Sequence, residues 1–292
     1  MQQKKSRTPY LLILPVLIVM GLLYAYPIII MFIQAFGKTN VVLGTYTFVG
    51  LENFRHIFET GMLQGSLALT LKYTVYTCLL KIVIGFVMAL FLASDIYFQK
   101  TLRFLSLVPW AVQQVTVAII WKWVLDGNYG YLNYCLRKLH IIDKNVAFLS
   151  HPKTAFYAIA FVDAWMGISL VSMIFLSALN GIDGALYEAA QIDGAGVFKR
   201  FLFVTLPGVK KVLVSTTVLV IVWTFNSFNA IFVLTGGGPM GSMETLIVKI
   251  YQQTFGKFDI GTGSALSVMA FLILMVLFFI MKSLDREGKK HA

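Results

Sequence analysis

The stretch LYEAAQIDGAGVFKRFLFVTLPGV, residues 186–209, carries charges, small residues and a Leu-Pro-Gly end within a chain that is otherwise strongly apolar. Of the 292 residues, 58% are hydrophobic and only 13% are charged. Soluble domains average about 45–50% apolar and about 25% charged residues. The composition therefore indicates an integral membrane protein, and the charged stretch is expected to project from the membrane.

Six segments are long and apolar enough, or nearly so, to cross a bilayer as helices. A hydrocarbon core of about 30 Å takes roughly 20 apolar residues in a helix. A helix is required because lipid offers no partner to backbone amides, and the alternating pattern of a barrel strand is absent from the sequence. The predicted spans are 10–36, 66–94, 104–125, 154–179, 212–234 and 264–282. We expect an all-α integral membrane protein with six transmembrane helices, a single transmembrane domain over 1–292.

The formal charge of +11 is explained by membrane topology. Six spans place both termini on one side. Of the 24 Lys and Arg residues, 13 fall on that side, 8 in the three opposite loops and 3 within spans. Because basic residues concentrate on the inner side of membranes, both termini are expected in the cytoplasm. The basic excess then requires no nucleic acid as a partner.

Residues that carry chemistry are scattered along the chain. The four histidines lie in predicted loops or in the tail, and the two cysteines, Cys78 and Cys135, lie in a span and a loop. No metal site, disulfide or catalytic residue is therefore expected. No Walker A string of Gly, four residues, Gly-Lys and Ser or Thr occurs, so ATP binding by this chain is not expected.

Five ionisable residues lie within or at the edge of predicted spans: Lys72, Lys81, Lys122, Asp163 and Lys282. Charges within a membrane are functional hypotheses by default, although lysines near helix ends often extend to the interface. Lys81 lies deeper, and Asp163 has too short a side chain to reach the interface. An ion-coupled secondary transporter is the alternative function, and it would need facing acids. A membrane-embedded enzyme would need clustered His, Asp or Glu, which the single Asp163 does not supply.

Three loops face the opposite side in this topology. In the first, Leu51, Phe54, Ile57 and Phe58 fall on one face of a short amphipathic helix. The second begins with turn residues 126–130, followed by another amphipathic helix. The third is expected to hold a Gly-Pro turn and a short helix over about 244–255.

Residues 180–211, between spans four and five, form a predicted cytoplasmic loop. Asp183 is a suitable N-cap for a helix over 184–192, which Gly194 and Gly196 then end. A second helix is expected to run to Val204, with Pro207 ending it. The result is a helical hairpin on which Glu188 and Asp193 offer carboxylates to a basic partner. An apolar stripe on its second helix requires cover by lipid headgroups or a partner groove: Phe198, Phe201, Leu202 and Leu206.

Seven positions of this loop match a pattern of fixed spacing: Glu188, Ala189, Ala190, Gly194, Val204, Leu206 and Pro207. The pattern resembles the EAA loop of permease subunits of bacterial ABC importers. Other segments resemble landmarks of the carbohydrate branch, the maltose and glycerol-3-phosphate importer type: residues 48–54, 109–110, 121–123, 129–130 with 132–133, and 234–239. Gln113 and Gln114 stand where such permeases commonly carry proline, which leaves the shape of the third helix open.

The resemblance implies a division of labour among subunits in a bacterial plasma membrane. Two homologous permeases form the pathway within the lipid, two ATPase subunits bind ATP and Mg, and an extracellular sugar-binding protein delivers the carbohydrate. The residues expected to couple this chain to an ATPase are Glu188, Ala189, Ala190, Asp193, Gly194 and Pro207.

The fifth span, VWTFNSFNAIFVL from residue 222, is unusually polar for a membrane helix. Thr224 and Ser227 share one face by their spacing, as do Asn226 and Asn229. Such side chains can hydrogen-bond a saccharide or can equally hold helices together. The resemblance adds a pocket wall in span four, made by Asp163, Trp165 and Gly167. These seven residues are the candidate substrate pathway.

Overall fold

The computed structural model describes residues 8–40, 43–95 and 97–290. Lys4, Lys5 and Arg7, which contribute to the predicted inner-side charge, lie outside these residues. The described chain falls into two compact units. The first comprises the residues up to Gly65 together with Lys249–Val276, and the second comprises Ser66–Val248 and the residues from Leu277 onward.

The described residues are mostly helical and include one small β-hairpin. Along the sequence the elements are α1 (Thr8–Met20), a π-helical turn (Gly21–Ala25), α2 (Tyr26–Ala35), β1 (Gly37–Asn40), β2 (Thr45–Phe48), α3 (Glu52–Glu59), α4 (Met62–Ala93), α5 (Gln99–Ala111), α6 (Gln114–Val124), α7 (Tyr131–Lys138), α8 (Pro152–Asn180), α9 (Gly184–Ile192), α10 (Val197–Arg200), a second π turn (Phe201–Thr205), α11 (Leu206–Phe225), α12 (Asn229–Thr235), α13 (Leu246–Tyr251), a third π turn (Gln252–Gly256) and α14 (Ile260–Lys290).

Five stretches of the described residues are long and apolar enough to cross a bilayer: Leu12–Ala35, Met62–Ala93, Pro152–Asn180, Val197–Thr235 and Ile260–Phe279. If α5 and α6 together count as one bent span, the number of such stretches rises to six. The composition-based expectation of a helical, multi-pass membrane protein agrees with these lengths.

The third predicted span, 104–125, is not one straight helix, which decides the shape that the sequence left open. The chain bends by 93° between α5 and α6, because Val112 and Gln113 adopt extended backbone with ψ of 138° and 133°. Pro109 lies inside α5 and does not make the break. Helix α5 packs on α8, whereas α6 packs on α12. The different neighbours hold the two helix axes in different directions.

The expectation that Pro207 ends the hairpin's second helix is wrong. Helical backbone continues from Val197 through the π turn into α11, where Pro207 lies in the first turn. Leu206 donates its N–H to the Phe201 carbonyl five residues back. Such a wide turn accommodates the ring and the missing N–H of a proline. The turn Gly21–Ala25 precedes Pro27 in the same way.

A β-hairpin and α3 pack together within the first unit. Strands β1 and β2 pair antiparallel, with Gly37 opposite Phe48. The buried Asn53 amide of α3 donates to the Ala35 and Gly37 carbonyls at 2.9 and 2.8 Å. Of the predicted apolar stripe, Ile57 is buried whereas Leu51 and Phe58 are exposed, so α3 buries less than its spacing suggests.

Gly261, in the first turn of α14, lies directly against this junction. A Cβ atom added there would come within 2.3 Å of the Gly37 carbonyl oxygen and 2.9 Å of Asn53 Nδ2. The backbone carbonyl cannot move aside without disturbing the hairpin.

We therefore expect Gly261→Ala to lower the free energy of unfolding by about 1–3 kcal/mol through overpacking. The matched control is Gly256→Ala, because a Cβ at Gly256 meets only the Gln252 Cβ at 4.0 Å. Thermal unfolding of the two variants in detergent measures the difference. Equal midpoints for Gly261→Ala and Gly256→Ala would contradict the tight junction.

Candidate functional site

A buried ion pair joins three helices of the second unit. Lys81 of α4 donates through Nζ to Asp163 Oδ1 of α8 at 2.9 Å and to Thr224 Oγ1 of α11 at 3.1 Å. The Tyr73 hydroxyl, also on α4, donates to Asp163 Oδ2 at 2.9 Å. The side chains of Lys81 and Asp163 are only 7% and 10% exposed. Each charge is therefore compensated by the other and by a neutral hydroxyl.

Spacing along α4 and along α8 positions these side chains for contact once the two helices pack. Tyr73 and Lys81 are eight residues apart on α4 and so face the same side of the helix. Gly167 follows Asp163 by one turn on α8. A Cβ at Gly167 would lie 2.7 Å from Lys81 Cε and 2.9 Å from its Cδ. Gly167 therefore provides the space in which the lysine side chain crosses α8.

A cavity of about 490 Å³ lies beside the ion pair. This volume falls within the range of about 300–1,000 Å³ that is common for small-molecule sites. Both Lys81 and Asp163 reach its wall. Its other polar lining groups are three amides and one hydroxyl, namely Gln114, Asn226, Asn229 and Ser227. The indole side chains of Trp110 and Trp223, each about half exposed, form apolar parts of the wall.

A break in the fifth span brings the amides to the cavity. Helix α11 ends at Phe225, and α12 begins at Asn229. The Asn226 amide donates to the Val222 carbonyl at 2.9 Å, and the Asn229 amide donates to Gln114 Oε1 at 3.0 Å. The predicted helical faces across residues 224–229 are therefore wrong, because no single helix runs through them.

The structure brings five of the seven candidate pathway residues to one cavity: Asp163, Gly167, Asn226, Ser227 and Asn229. Thr224 is buried behind them and accepts the hydrogen bond from Lys81. Trp165 instead packs edge-on against Trp121, with ring centroids 5.6 Å apart.

The predicted pathway residues did not include Gln114, Trp110, Trp223 or Lys81, although Lys81 was noted as a deep charge within a span. One signal was present, since Lys81 and Asp163 are opposite charges deep within separate predicted spans. Charges in that position are rarely stable unless they pair with one another. Among the described residues, no group of three or more His, Cys, Asp or Glu is arranged to hold a metal ion.

The charged stretch that begins at Leu186 forms a compact hairpin. Asp183 Oδ1 accepts from the Ala185 N–H at 3.0 Å and caps α9. Gly194, with φ of +73°, lets the chain leave the helix in the left-handed conformation. The Tyr187 hydroxyl and Thr205 Oγ1 are 2.9 Å apart, which ties α9 to the second π turn.

The outer surface of this hairpin is exposed and partly apolar. Glu188 and Ala189 are exposed on α9. At the hairpin tip Ile192, Val197 and Phe198 are 86%, 76% and 71% exposed. The predicted stripe from Phe198 to Leu206 is likewise only partly covered within the chain. Adjoining exposed apolar side chains of this kind typically mark an interaction surface.

Residues 81–289 match the protein family described as "Binding-protein-dependent transport system inner membrane component". The chain is 33% identical to a probable ABC transporter permease of Brucella suis biovar 1 over 273 residues, 93% of this chain and 94% of the relative. It is 30% identical to the trehalose/maltose transport system permease MalF of Thermococcus litoralis over 275 residues, 94% and 92% of the two chains.

A solved structure has a similar fold. It is a bacterial alginate ABC transporter in complex with a periplasmic protein that carries an alginate pentasaccharide. One of its chains matches with a TM-score of 0.84 at 20% identity, covering 98% of this chain and 96% of that chain.

Removal of one member of the ion pair, as in Lys81→Met or Asp163→Leu, is expected to lower the free energy of unfolding by about 3–5 kcal/mol, because the other charge stays buried without its partner. The double variant Lys81→Met/Asp163→Leu should regain most of that loss. The control is Lys72→Met on the same helix, whose exposed ammonium lies 4.9 Å from the Phe156 ring. Thermal unfolding of the four variants measures the coupling, and additive losses in the double variant would show that the two charges do not interact.

Proposed function

Because the chain belongs to the family of binding-protein-dependent transport system inner membrane components, we propose that it forms, with a second homologous permease, the pathway through which a sugar or oligosaccharide enters the cell by ATP-driven alternating access. The relative from Thermococcus litoralis is named as a trehalose/maltose transport system permease. The chain is a permease subunit rather than an enzyme. ATP and Mg are proposed to bind two separate ATPase subunits.

The observation that carries this proposal is the exposed hairpin around α9. Its capped helix, left-handed glycine and Tyr187–Thr205 hydrogen bond hold one defined shape. Its apolar tip and the exposed Glu188 lack cover within the described chain. A hairpin of defined shape with an apolar tip and a carboxylate suits a groove on another protein. We propose that an ATPase subunit supplies this groove.

The membrane orientation is part of the proposal. Lys199, Lys210 and Lys211 are exposed on and beside the hairpin. Basic residues concentrate in cytoplasmic segments. The hairpin and both termini are therefore placed in the cytoplasm of a bacterium, with the chain in the plasma membrane.

Delivery of the sugar is assigned to an extracellular binding protein. The solved alginate transporter carries such a protein with its saccharide, and this chain shares its fold. The cavity beside Lys81 and Asp163 is the proposed point of passage, since its amides, hydroxyl and indole rings suit a polyhydroxylated ring.

Reconstituted vesicles test the energy source. Vesicles with this chain, its sister permease, the ATPase pair and the binding protein should accumulate sugar only when ATP is supplied on the ATPase side. A proton gradient without ATP should drive no uptake. Accumulation driven by the gradient alone would replace the proposal with an ion-coupled secondary transporter.

Variants of the hairpin test the coupling. Glu188→Lys is expected to abolish ATP-driven uptake while the protein remains in the membrane, because charge reversal opposes docking on a basic partner surface. Gly194→Ala should reduce uptake, since a left-handed conformation costs an L-residue about 1–2 kcal/mol.

Gly196→Ala is the matched control for the glycine, because Gly196 has φ of −64° and open space around its Cβ position. Uptake should be close to normal in this variant. Normal uptake by Glu188→Lys, or labelling of Gln191→Cys by an impermeant reagent from outside the cell, would contradict the coupling role.

A further inference from the structure

The cavity beside Lys81 carries one positive and one negative side chain, and this bears on whether neutral or charged sugars fit it. Among the described residues that line this cavity, the charged ones are Lys81 and Asp163. Their ammonium and carboxylate lie 2.9 Å apart, so the wall carries no net charge. The other polar groups are the neutral amides and the hydroxyl of Ser227.

The ion pair lines the cavity and retains unused hydrogen-bonding capacity. In the described contacts Lys81 Nζ donates to Asp163 and Thr224, which uses two of its three N–H groups. Asp163 accepts from Lys81 and Tyr73, and an ionised carboxylate can accept about four hydrogen bonds. A donor and an acceptor are therefore available side by side.

A sugar hydroxyl complements this arrangement, because it both donates and accepts. It can accept from Lys81 Nζ while it donates to a carboxylate oxygen of Asp163. Bonds of this kind to charged groups are stronger than those between neutral groups. A carboxylate of a uronic acid has no proton to donate, and it would meet the Asp163 carboxylate at the same place. The uronic acid carboxylate would lose its hydration without contacting a cation whose charge is not already balanced.

We propose that this cavity selects neutral saccharides over carboxylated ones, with a sugar hydroxyl bridging Lys81 Nζ and the Asp163 carboxylate. Lys81 is thereby a residue that determines specificity, and Gly167 acts through it, since any larger side chain at 167 would displace the lysine. This inference rests on the proposed function, because it names the substrate class of the same pathway.

Binding to the permease pair in nanodiscs, with the ATPases and without the binding protein, tests the selection. The probes are trimers of glucose, galactose and mannose, each paired with the counterpart whose C6 carbons are oxidised to carboxylates. In isothermal titration calorimetry the neutral member of each pair that binds should bind at least about tenfold more tightly, the equivalent of one charge-assisted hydrogen bond. Equal or tighter binding of the carboxylated members to the wild-type complex would overturn the proposal.

Three variants sharpen the result. Asp163→Asn leaves the lysine cation uncompensated, so the ratio should shift toward the carboxylated member by about tenfold or more. Lys72→Gln, which removes an exposed cation from the same helix, should leave the ratio unchanged. If Asp163→Asn does not fold, the double variant Lys81→Gln/Asp163→Asn restores neutrality. It should bind the neutral trimers more weakly than the wild-type complex does, and it should still prefer them to the carboxylated trimers. An unchanged ratio in folded Asp163→Asn would remove the role assigned to the pair.

Uptake of the same six trimers into the reconstituted vesicles separates this inference from the proposed function on which it rests. ATP-driven uptake together with a preference for carboxylated trimers would overturn the charge selection alone. Neither binding nor ATP-driven uptake of any of the six trimers would overturn both.

Discussion

The buried ion pair between Lys81 and Asp163 constrains the second unit, because one of these charges cannot stay buried without the other. Neither charge is stable alone within an apolar helical domain, because burial removes its hydration. Together with Thr224 the pair connects α4, α8 and α11 at one point. Gly167 gives the lysine side chain its path across α8. The contacts from Lys81 to Asp163 and Thr224 fix one mutual position for these three largely apolar helices in the structure.

Two interruptions of helical backbone meet at the same cavity. One is the extended pair Val112–Gln113 between α5 and α6, and the other is the segment between Phe225 and Asn229. Irregular backbone at membrane depth is tolerated only where it is buried in protein or lines a polar cavity. The hydrogen bond from Asn229 to Gln114 joins the two interruptions directly. The polar character of the fifth span is thus explained by a broken helix that faces a cavity.

A continuous helical path connects the exposed hairpin to the buried ion pair. It runs from Val197 through the π turn and along α11 to Phe225, which at 1.5 Å per residue is about 40 Å. Thr224, beside its far end, accepts from Lys81. Displacement of the hairpin by a partner could be passed to the cavity along this path, since helical backbone continues through the π turn at Pro207. This arrangement supports the proposed coupling of partner binding to the transport pathway.

The membrane class, the approximate helix positions, the capped α9 and the family resemblance followed from sequence alone, because apolar length, Asp183 and the spacing from Glu188 to Pro207 are local properties of the chain. The pairing of Lys81 with Asp163 and the space at Gly167 joined residues more than 80 positions apart, and only tertiary packing decided them. The bend at Val112–Gln113 and the end of α11 at Phe225 also escaped prediction. No proline marks either break, and each half-helix takes its direction from the neighbour that it contacts.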